Sequence, residues 1–336
     1  MSMKRIAING FGRIGKTFLR VIMADAAAKK DLEVVAINIG PAKTDLIGHL
    51  FQYDTLMGKF PGSVEQRGNE LIIDGKKIIL ITESDPAKID WKKLSIDWVV
   101  ECSGKFTHRE DAEKHLKAGA KKVLISAPAT DEDVAIIPGV NDAMYDAKKH
   151  TIVSLGSCTT NAVFPLLKVL HDSCGLEQAM MMTTHAYTNT QVLLDVEAKD
   201  PRISRAAALN IIPTSTGAAK MVPKVMPELT GKVEMSSVRV PVGKVSLIEL
   251  TFISTKKLSA EIINNAFTDA SKKSMRGIIE VETKPLVSSD FSGNSSSVIL
   301  DALLTRSLGT LSSVFGWYDN EWGYSCRLKD FLLRLS

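Results

Sequence analysis

The stretch that decides the fold is KRIAINGFGRIGKTFL, Lys4 to Leu19. Lys4 to Asn9 is a short apolar run and predicts a strand. KTFLRVIMADAAAKK, from Lys16, has apolar positions at three- and four-residue spacing and predicts a helix. Between them GFGRIG, Gly10 to Gly15, fits G-x-G-x-x-G. Alone the pattern is weak, but behind a strand and ahead of a helix it has the context that dinucleotide binding requires. Gly10 allows the tight turn, Gly12 lets backbone approach a pyrophosphate, and Gly15 lets the helix pack close to the strand. The helix start then offers N–H groups and the positive end of its dipole to phosphate. LEVVAI, Leu32 to Ile37, predicts a second strand and completes a βαβ unit within about 35 residues.

An acidic residue near the end of the second strand is the remaining part of that fingerprint, where it binds the adenosine ribose hydroxyls. Here Asn38 is followed by Ile39, Gly40 and Pro41. Without the carboxylate there is no repulsion against a 2′-phosphate, and Lys43 and Thr44 stand near enough to help bind one. NAD or NADP is therefore the expected cofactor.

Outward from this unit, strands are predicted at Leu71 to Ile73, Lys77 to Thr82, Trp98 to Glu101 and Lys122 to Ile125, with a helix at Arg109 to Ala118. These describe a mostly parallel sheet with crossover helices. The second half predicts strands at Ala179 to Thr188, Val233 to Arg239, Val245 to Ile253 and Ser295 to Leu303. Its helices are predicted at Phe164 to Asp172, Ser259 to Ser274 and Glu321 to Leu335. The expected fold class is a Rossmann-type α/β dinucleotide-binding domain plus an α+β catalytic domain with a mostly antiparallel or mixed sheet. The boundaries are residues 1–157 with 321–336, and residues 158–320. A long polar segment, Tyr187 to Pro213, has the length of a functional loop.

Composition narrows the function class. The chain has 336 residues, enough for two domains, with 42 Lys and Arg against 38 Asp and Glu. A net charge of +4 does not point to nucleic acid. No apolar stretch is long enough to predict a transmembrane helix, and no signal-peptide core follows the first Met. Four cysteines without C-x-x-C spacing form neither a disulfide framework nor a metal site. A reducing cytoplasm is the expected setting.

One of those cysteines differs from the rest. SLGSCTTNA, Ser154 to Ala162, puts Cys158 just ahead of a helical run, with Ser157 and Thr159 suited to a helix start. The dipole there favours thiolate. Cys102, Cys174 and Cys326 lack that setting and read as structural. A cysteine nucleophile needs a base. His49, His108, His115, His150 and His171 lie among polar neighbours and are expected on the surface. His185 lies in an apolar strand next to Ala186 and Tyr187, before the long polar segment. A lone histidine there reads as core. Beside a nicotinamide site, a cysteine–histidine pair takes on a chemistry: the thiolate adds to an aldehyde, histidine takes the hydroxyl proton, and hydride leaves. The thioester left behind requires a second nucleophile.

Taken together these residues resemble the phosphorylating glyceraldehyde-3-phosphate dehydrogenase family over essentially the whole chain. INGFGRIG at Ile8, SCTTNA at Ser157, AALNIIPTSTGAAK at Ala207, VRVP at Val238 and WYDNEWGYS at Trp317 follow the family's order. SCTTN paired with NEWGYS is the most specific part. The resemblance implies Cys158 as nucleophile and His185 as base. It implies Gly10, Gly12, Arg13, Ile14, Gly15, Asn38 and Ser126 on the cofactor side, with Asn320 on the nicotinamide carboxamide. For phosphates it implies Thr188 and Arg239 on the substrate, Ser157, Thr159, Thr216 and Gly217 on inorganic phosphate, and Arg202 in the long segment. It further implies glyceraldehyde 3-phosphate and inorganic phosphate as substrates, no metal, and a homotetramer with Tyr187 to Pro213 packed between subunits. The chain departs from the family pattern at Ile39, where NAD-using members carry Asp. It departs again at Ile203, where an adjacent second arginine is common, and at Thr190. The alternatives are an erythrose-4-phosphate dehydrogenase, which hydrolyses the thioester, and a non-catalytic RNA- or partner-binding protein on the same fold. TSTGAAK and the intact cysteine–histidine pair speak against both.

Overall fold

Lys4–Asn9 forms strand β1, Arg13–Ala24 helix α1 and Leu32–Asn38 strand β2. The computed structural model describes residues 3–42, 44–198 and 200–334, so Lys43 lies outside the described residues. α1 begins three residues earlier than Lys16 and stops at Ala24, and Ala28–Asp31 is a separate turn. The break lies at Asp25, which is extended and accepts the N–H groups of Ala27 and Ala28 on its side chain. Phe18, Leu19, Val21 and Ile22 give α1 its buried face. Each such side chain contributes about 1.5–3 kcal/mol by burial. Gly10 has φ +93°, a conformation that favours glycine, and a Cβ on Gly15 would overlap the Gly10 carbonyl oxygen.

The remaining strands of this first sheet are Val64–Arg67 (β3), Glu70–Ile73 (β4), Lys76–Ile81 (β5), Trp98–Glu101 (β6), Lys122–Ile125 (β7), Val134–Ala135 (β8) and Ile152–Ser154 (β9). Arg109–Lys117 is helix α2. The order is β8-β9-β7-β6-β1-β2-β5-β4-β3, nine strands. All pairs from β8 to β5 are parallel, while β5-β4 and β4-β3 are antiparallel. The hairpin that adds β3 was not legible as a strand, because VEQR is a polar edge with no apolar alternation. Ala7, Val35, Ala36, Trp91 and Val99 pack into one buried cluster.

The second sheet belongs to Leu176–Ala186 (β10), Ile212–Thr214 (β11), Val233–Val240 (β12), Ser246–Ser254 (β13), Ile279–Glu282 (β14), Val298–Asp301 (β15), Arg306–Leu308 (β16) and Leu311–Tyr318 (β17). Its order is β11-β12-β10-β13-β17-β15-β14, with β16 on β17. The β10-β12 and β14-β15 pairs are parallel and the rest antiparallel, a mixed sheet. Cys158–Val169 is helix α3, Ala260–Lys272 α4 and Trp322–Arg334 α5.

Two compact units result. The first comprises residues 1–136, 142–156 and 325–336, the second residues 137–141 and 157–324. Relative to the expected divisions at 157/158 and 320/321, residues 137–141, Ser157 and residues 321–324 go with the second unit. There Gly139, at φ +85°, lies against Ile278 and Met275, where an added side chain would press on both. In the first unit the end of α5 is tied to β1 and to Asp25, just past α1. Lys4 Nζ donates to the Leu332 carbonyl at 2.6 Å, and Lys329 pairs with Asp25 at 2.6 Å.

Candidate active site

Helix α3 starts at Cys158 because Ser157 caps it. Ser157 Oγ accepts the Thr160 N–H at 3.1 Å, and Thr160 Oγ1 accepts the Ser157 N–H at 3.1 Å. This reciprocal pairing satisfies two helix-end donors and places the thiol in the first turn. The expected helix at Phe164 to Asp172 therefore begins six residues earlier; beyond Val169 the chain passes through a wider turn, Leu170–Cys174. Cys158 is half-buried.

β10 alternates strictly enough to turn His185 inward, where it is 3% exposed. His185 Nε2 lies 3.5 Å from Cys158 Sγ. The parallel register of β10 and β12 sets His185 beside Arg239. His185 Nδ1 is 2.6 Å from the Ala186 carbonyl oxygen and 2.6 Å from Arg239 Nη1. The carbonyl calls for a proton on Nδ1, which leaves Nε2 as a base. The guanidinium calls for a bare Nδ1. Arg239 also donates to the Ala186 carbonyl at 3.0 Å.

Burial, and then the Arg239 charge, hold the His185 imidazole down to about 3. Burial pushes the Cys158 thiol up, against the pull of Arg239 and the backbone N–H groups at the helix start. The helix start thus softens a burial effect rather than creating a standing thiolate. Neutral imidazole facing neutral thiol is the form in which the ring can take a proton. Cys102 contrasts with this: burial drives its thiol up to about 12.

Tyr318, from the end of β17, completes the group and was not singled out from the sequence. Its hydroxyl meets Thr159 Oγ1 at 3.1 Å and Thr183 Oγ1 at 2.8 Å. Its ring stands edge-on to His185 at 5.9 Å. Burial and the neighbouring Cys158 raise its phenol. Thr159, expected on inorganic phosphate, is buried with its hydroxyl turned to Tyr318. Asn320 is 4% exposed, and its Oδ1 accepts the Val245 N–H at 3.0 Å. Val245 has φ +67°, a strained conformation for a β-branched residue.

The other expected phosphate residues are more open. Thr188 Oγ1 meets Thr190 Oγ1 at 2.9 Å just past β10. Thr216 caps a short turn that begins at Gly217, its Oγ1 accepting the Ala218 N–H at 3.3 Å. Arg202 is exposed, its N–H held by Asp200, and the nearby Arg205 pairs with Asp195 at 2.6 Å.

In the first unit, a Cβ built on Gly12 meets nothing within 4 Å, and α1 has neither a side-chain cap nor an acidic residue in its first turn. That fits the close approach of a pyrophosphate. The Arg13 guanidinium is committed to Asp54 at 2.5 Å, and Ile14 follows it on α1. Asn38 ends β2 with its amide engaged by Asn9 and Glu83. Ser126 follows β7, its N–H on the Glu101 carbonyl at 3.0 Å. His115, expected on the surface, is fully buried between Trp91 and Glu101. On α2 it lies three residues after buried Ala112, the spacing of one helix face. Among the described residues no group of three or more His, Cys, Asp or Glu is placed to hold a metal ion.

Residues 4–109 match the family model for the NAD binding domain of glyceraldehyde 3-phosphate dehydrogenase, and residues 157–320 match the model for its C-terminal domain. The chain is 48% identical over 328 residues to a glyceraldehyde-3-phosphate dehydrogenase of Priestia megaterium, covering 97% of this chain and 96% of that one. Identity is 47% over 327 residues to glyceraldehyde-3-phosphate dehydrogenase 1 of Bacillus subtilis, again 97% and 96%. It is 46% over 328 residues to a glyceraldehyde-3-phosphate dehydrogenase of Geobacillus stearothermophilus, with the same coverage.

Proposed function

The chain belongs to the glyceraldehyde-3-phosphate dehydrogenase family, and from that membership we propose how its own residues carry out the reaction. It is a glycolytic oxidoreductase that converts glyceraldehyde 3-phosphate and inorganic phosphate to 1,3-bisphosphoglycerate. Residues 1–157 and 321–336 serve the dinucleotide, and residues 158–320 the substrate.

His185 Nε2 takes the Cys158 thiol proton as Sγ attacks the aldehyde carbon, and the proton passes on to the carbonyl oxygen, giving the hemithioacetal. His185 Nε2 takes the hemithioacetal hydroxyl proton as C1 gives up its hydride. Bound NAD or NADP supplies the hydride acceptor. The thioester on Cys158 is then attacked by an oxygen of inorganic phosphate, the C–S bond breaks, and the thiolate returns. Arg239 and Thr188 bind the substrate phosphate, a guanidinium being suited to paired donation to phosphate oxygens. Ser157, Thr159, Thr216 and Gly217 receive the attacking phosphate, with Arg202 near the same anion. Gly10, Gly12, Arg13, Ile14 and Gly15 cradle the pyrophosphate. Asn38 and Ser126 stand on the cofactor side, and Asn320 takes the carboxamide.

The observation that carries this reading is the 3.5 Å approach of Cys158 and His185 at a capped helix start. The test is initial rates with glyceraldehyde 3-phosphate, with and without inorganic phosphate, using NAD and NADP in parallel. Turnover is expected to require phosphate; turnover indifferent to it overturns the phosphorolytic step and favours thioester hydrolysis. Both cofactors are expected to serve, because Ile39 stands where a carboxylate would repel a 2′-phosphate. NAD preference by about a hundredfold or more overturns that role for Ile39.

The protein acts in the cytoplasm as a homotetramer, with residues 187–213 between subunits. In support, Leu193, Leu194, Leu209 and Ile211 are each more than 70% exposed in that segment. A monomer by light scattering at micromolar concentration overturns this assembly. Among the described residues no helix is long and apolar enough to cross a membrane.

A further inference from the structure

Asn38 of β2, Asn9 of β1 and Glu101 of β6 stand in register at the carboxyl ends of three adjacent parallel strands, all buried. Asn38 Nδ2 donates to Asn9 Oδ1 at 2.7 Å, and Asn9 Nδ2 donates to Glu101 Oε2 at 2.5 Å. Glu101 Oε1 accepts the Ser103 N–H at 2.6 Å and the Ser103 hydroxyl at 2.5 Å. Behind it His115 Nε2 lies 3.2 Å from Glu101 Oε2, and His115 Nδ1 lies 3.2 Å from Trp91 Nε1. An indole N–H only donates, so Nδ1 accepts and the ring proton sits on Nε2, facing Glu101.

Every bond in this row therefore points toward Glu101. An ionised carboxylate, acceptor-only with two oxygens, suits all these donors at once. At the far end Asn38 spends its second N–H on the Glu83 carbonyl at 2.9 Å. Its oxygen is thereby turned to the N–H groups of Glu83 at 3.0 Å and Gly40 at 3.3 Å. Gly40 directly follows Ile39, the position where a ribose-binding acid is otherwise found.

We propose that Glu101 is a positioning residue for the dinucleotide. By setting the amide direction of Asn9 and then Asn38, it fixes the backbone after β2 and with it the affinity for the adenosine ribose. This rests on the reading that the βαβ unit binds NAD or NADP. Glutamine at position 101 keeps the shape and loses the polarity. Its NH2 turned to Asn9 reverses both asparagine amides and sets Asn38 Nδ2 against the N–H groups of Gly40 and Glu83. Its NH2 turned the other way meets the Ser103 N–H. His115→Gln keeps an acceptor for Trp91 and a donor for Glu101, so it preserves the direction of the row.

The experiment is titration calorimetry of NAD and NADP with the wild-type protein, E101Q and H115Q, with hydrogen exchange at the Gly40 amide in the unliganded proteins. E101Q is expected to weaken both cofactors about tenfold and to speed Gly40 exchange similarly, the effect of one mismatched buried donor. H115Q is expected to bind as the wild type does. A folded E101Q with wild-type affinity overturns the proposal even if its melting temperature falls, since a purely structural Glu101 would do only that. Should E101Q not fold, His115→Leu removes one donor and is expected to weaken binding about threefold; unchanged affinity there overturns the proposal equally. A wild-type protein that binds neither dinucleotide overturns the reading of the βαβ unit itself.

Discussion

Asn38 in the first unit and His185 in the second are both buried polar side chains at the end of a strand, and they are held in opposite ways. Asn38 has both amide donors and its oxygen engaged, and all of those bonds agree on one orientation. His185 has a carbonyl and a guanidinium at the same ring nitrogen, and the two ask for different tautomers. Its other nitrogen meets sulfur at 3.5 Å. A binding platform gains from fixed direction. A general base gains instead from surroundings that keep its ring neutral and one nitrogen open, as burial and the Arg239 charge do for His185.

The sharpest test of that contrast is Cys158→Ser. It should lower turnover by about 10⁴-fold or more, because a serine hydroxyl beside a weak base is a poor nucleophile, while dinucleotide binding stays intact. Surviving activity above a few per cent would refute the nucleophile. His185→Asn should cost about 10²–10⁴-fold in kcat, the usual size of general-base catalysis. Ile39→Asp tests the platform: kcat/KM with NADP should fall about tenfold through like-charge repulsion, with NAD little changed. Equal losses with both cofactors would show a structural effect instead. Tyr318→Phe removes the hydroxyl shared with Thr159 and Thr183 and should reduce kcat about two- to fivefold, near the net worth of one hydrogen bond.

The smallest expected effect is on stability. His185 binds its proton less readily in the folded chain than in the unfolded chain. Below about pH 6.5 the unfolded state therefore binds more protons, and stability falls as pH drops toward about 3. His185→Asn should flatten this part of the pH–melting curve, and an unchanged slope would remove His185 as its source.

How far the sequence could be read follows from the range of the interactions. KRIAINGFGRIG was legible because strand, turn and helix start are all local. The helix at Cys158 was only half legible: Ser157 and Thr159 suited a helix start, yet the apolar run set the expected helix at Phe164, because the reciprocal Ser157–Thr160 pairing leaves no mark in the periodicity. His115 was misread because its charged neighbours on α2 hide that it shares a face with Ala112. Tyr318 reaches Thr159 across 159 residues, and no local pattern announces such a contact. The pairing of His185 with Arg239 depended on a parallel register, which periodicity alone does not give.

Val245 and Asn320 carry a consequence for the growing chain. The left-handed turn at Val245 is braced by a side chain 75 positions later. Cys158 and His185 are both synthesised long before that brace and before Tyr318. The two side chains thus precede in synthesis the residues that define the pocket around them. That pocket is therefore complete only once the last strand of the second sheet has been made.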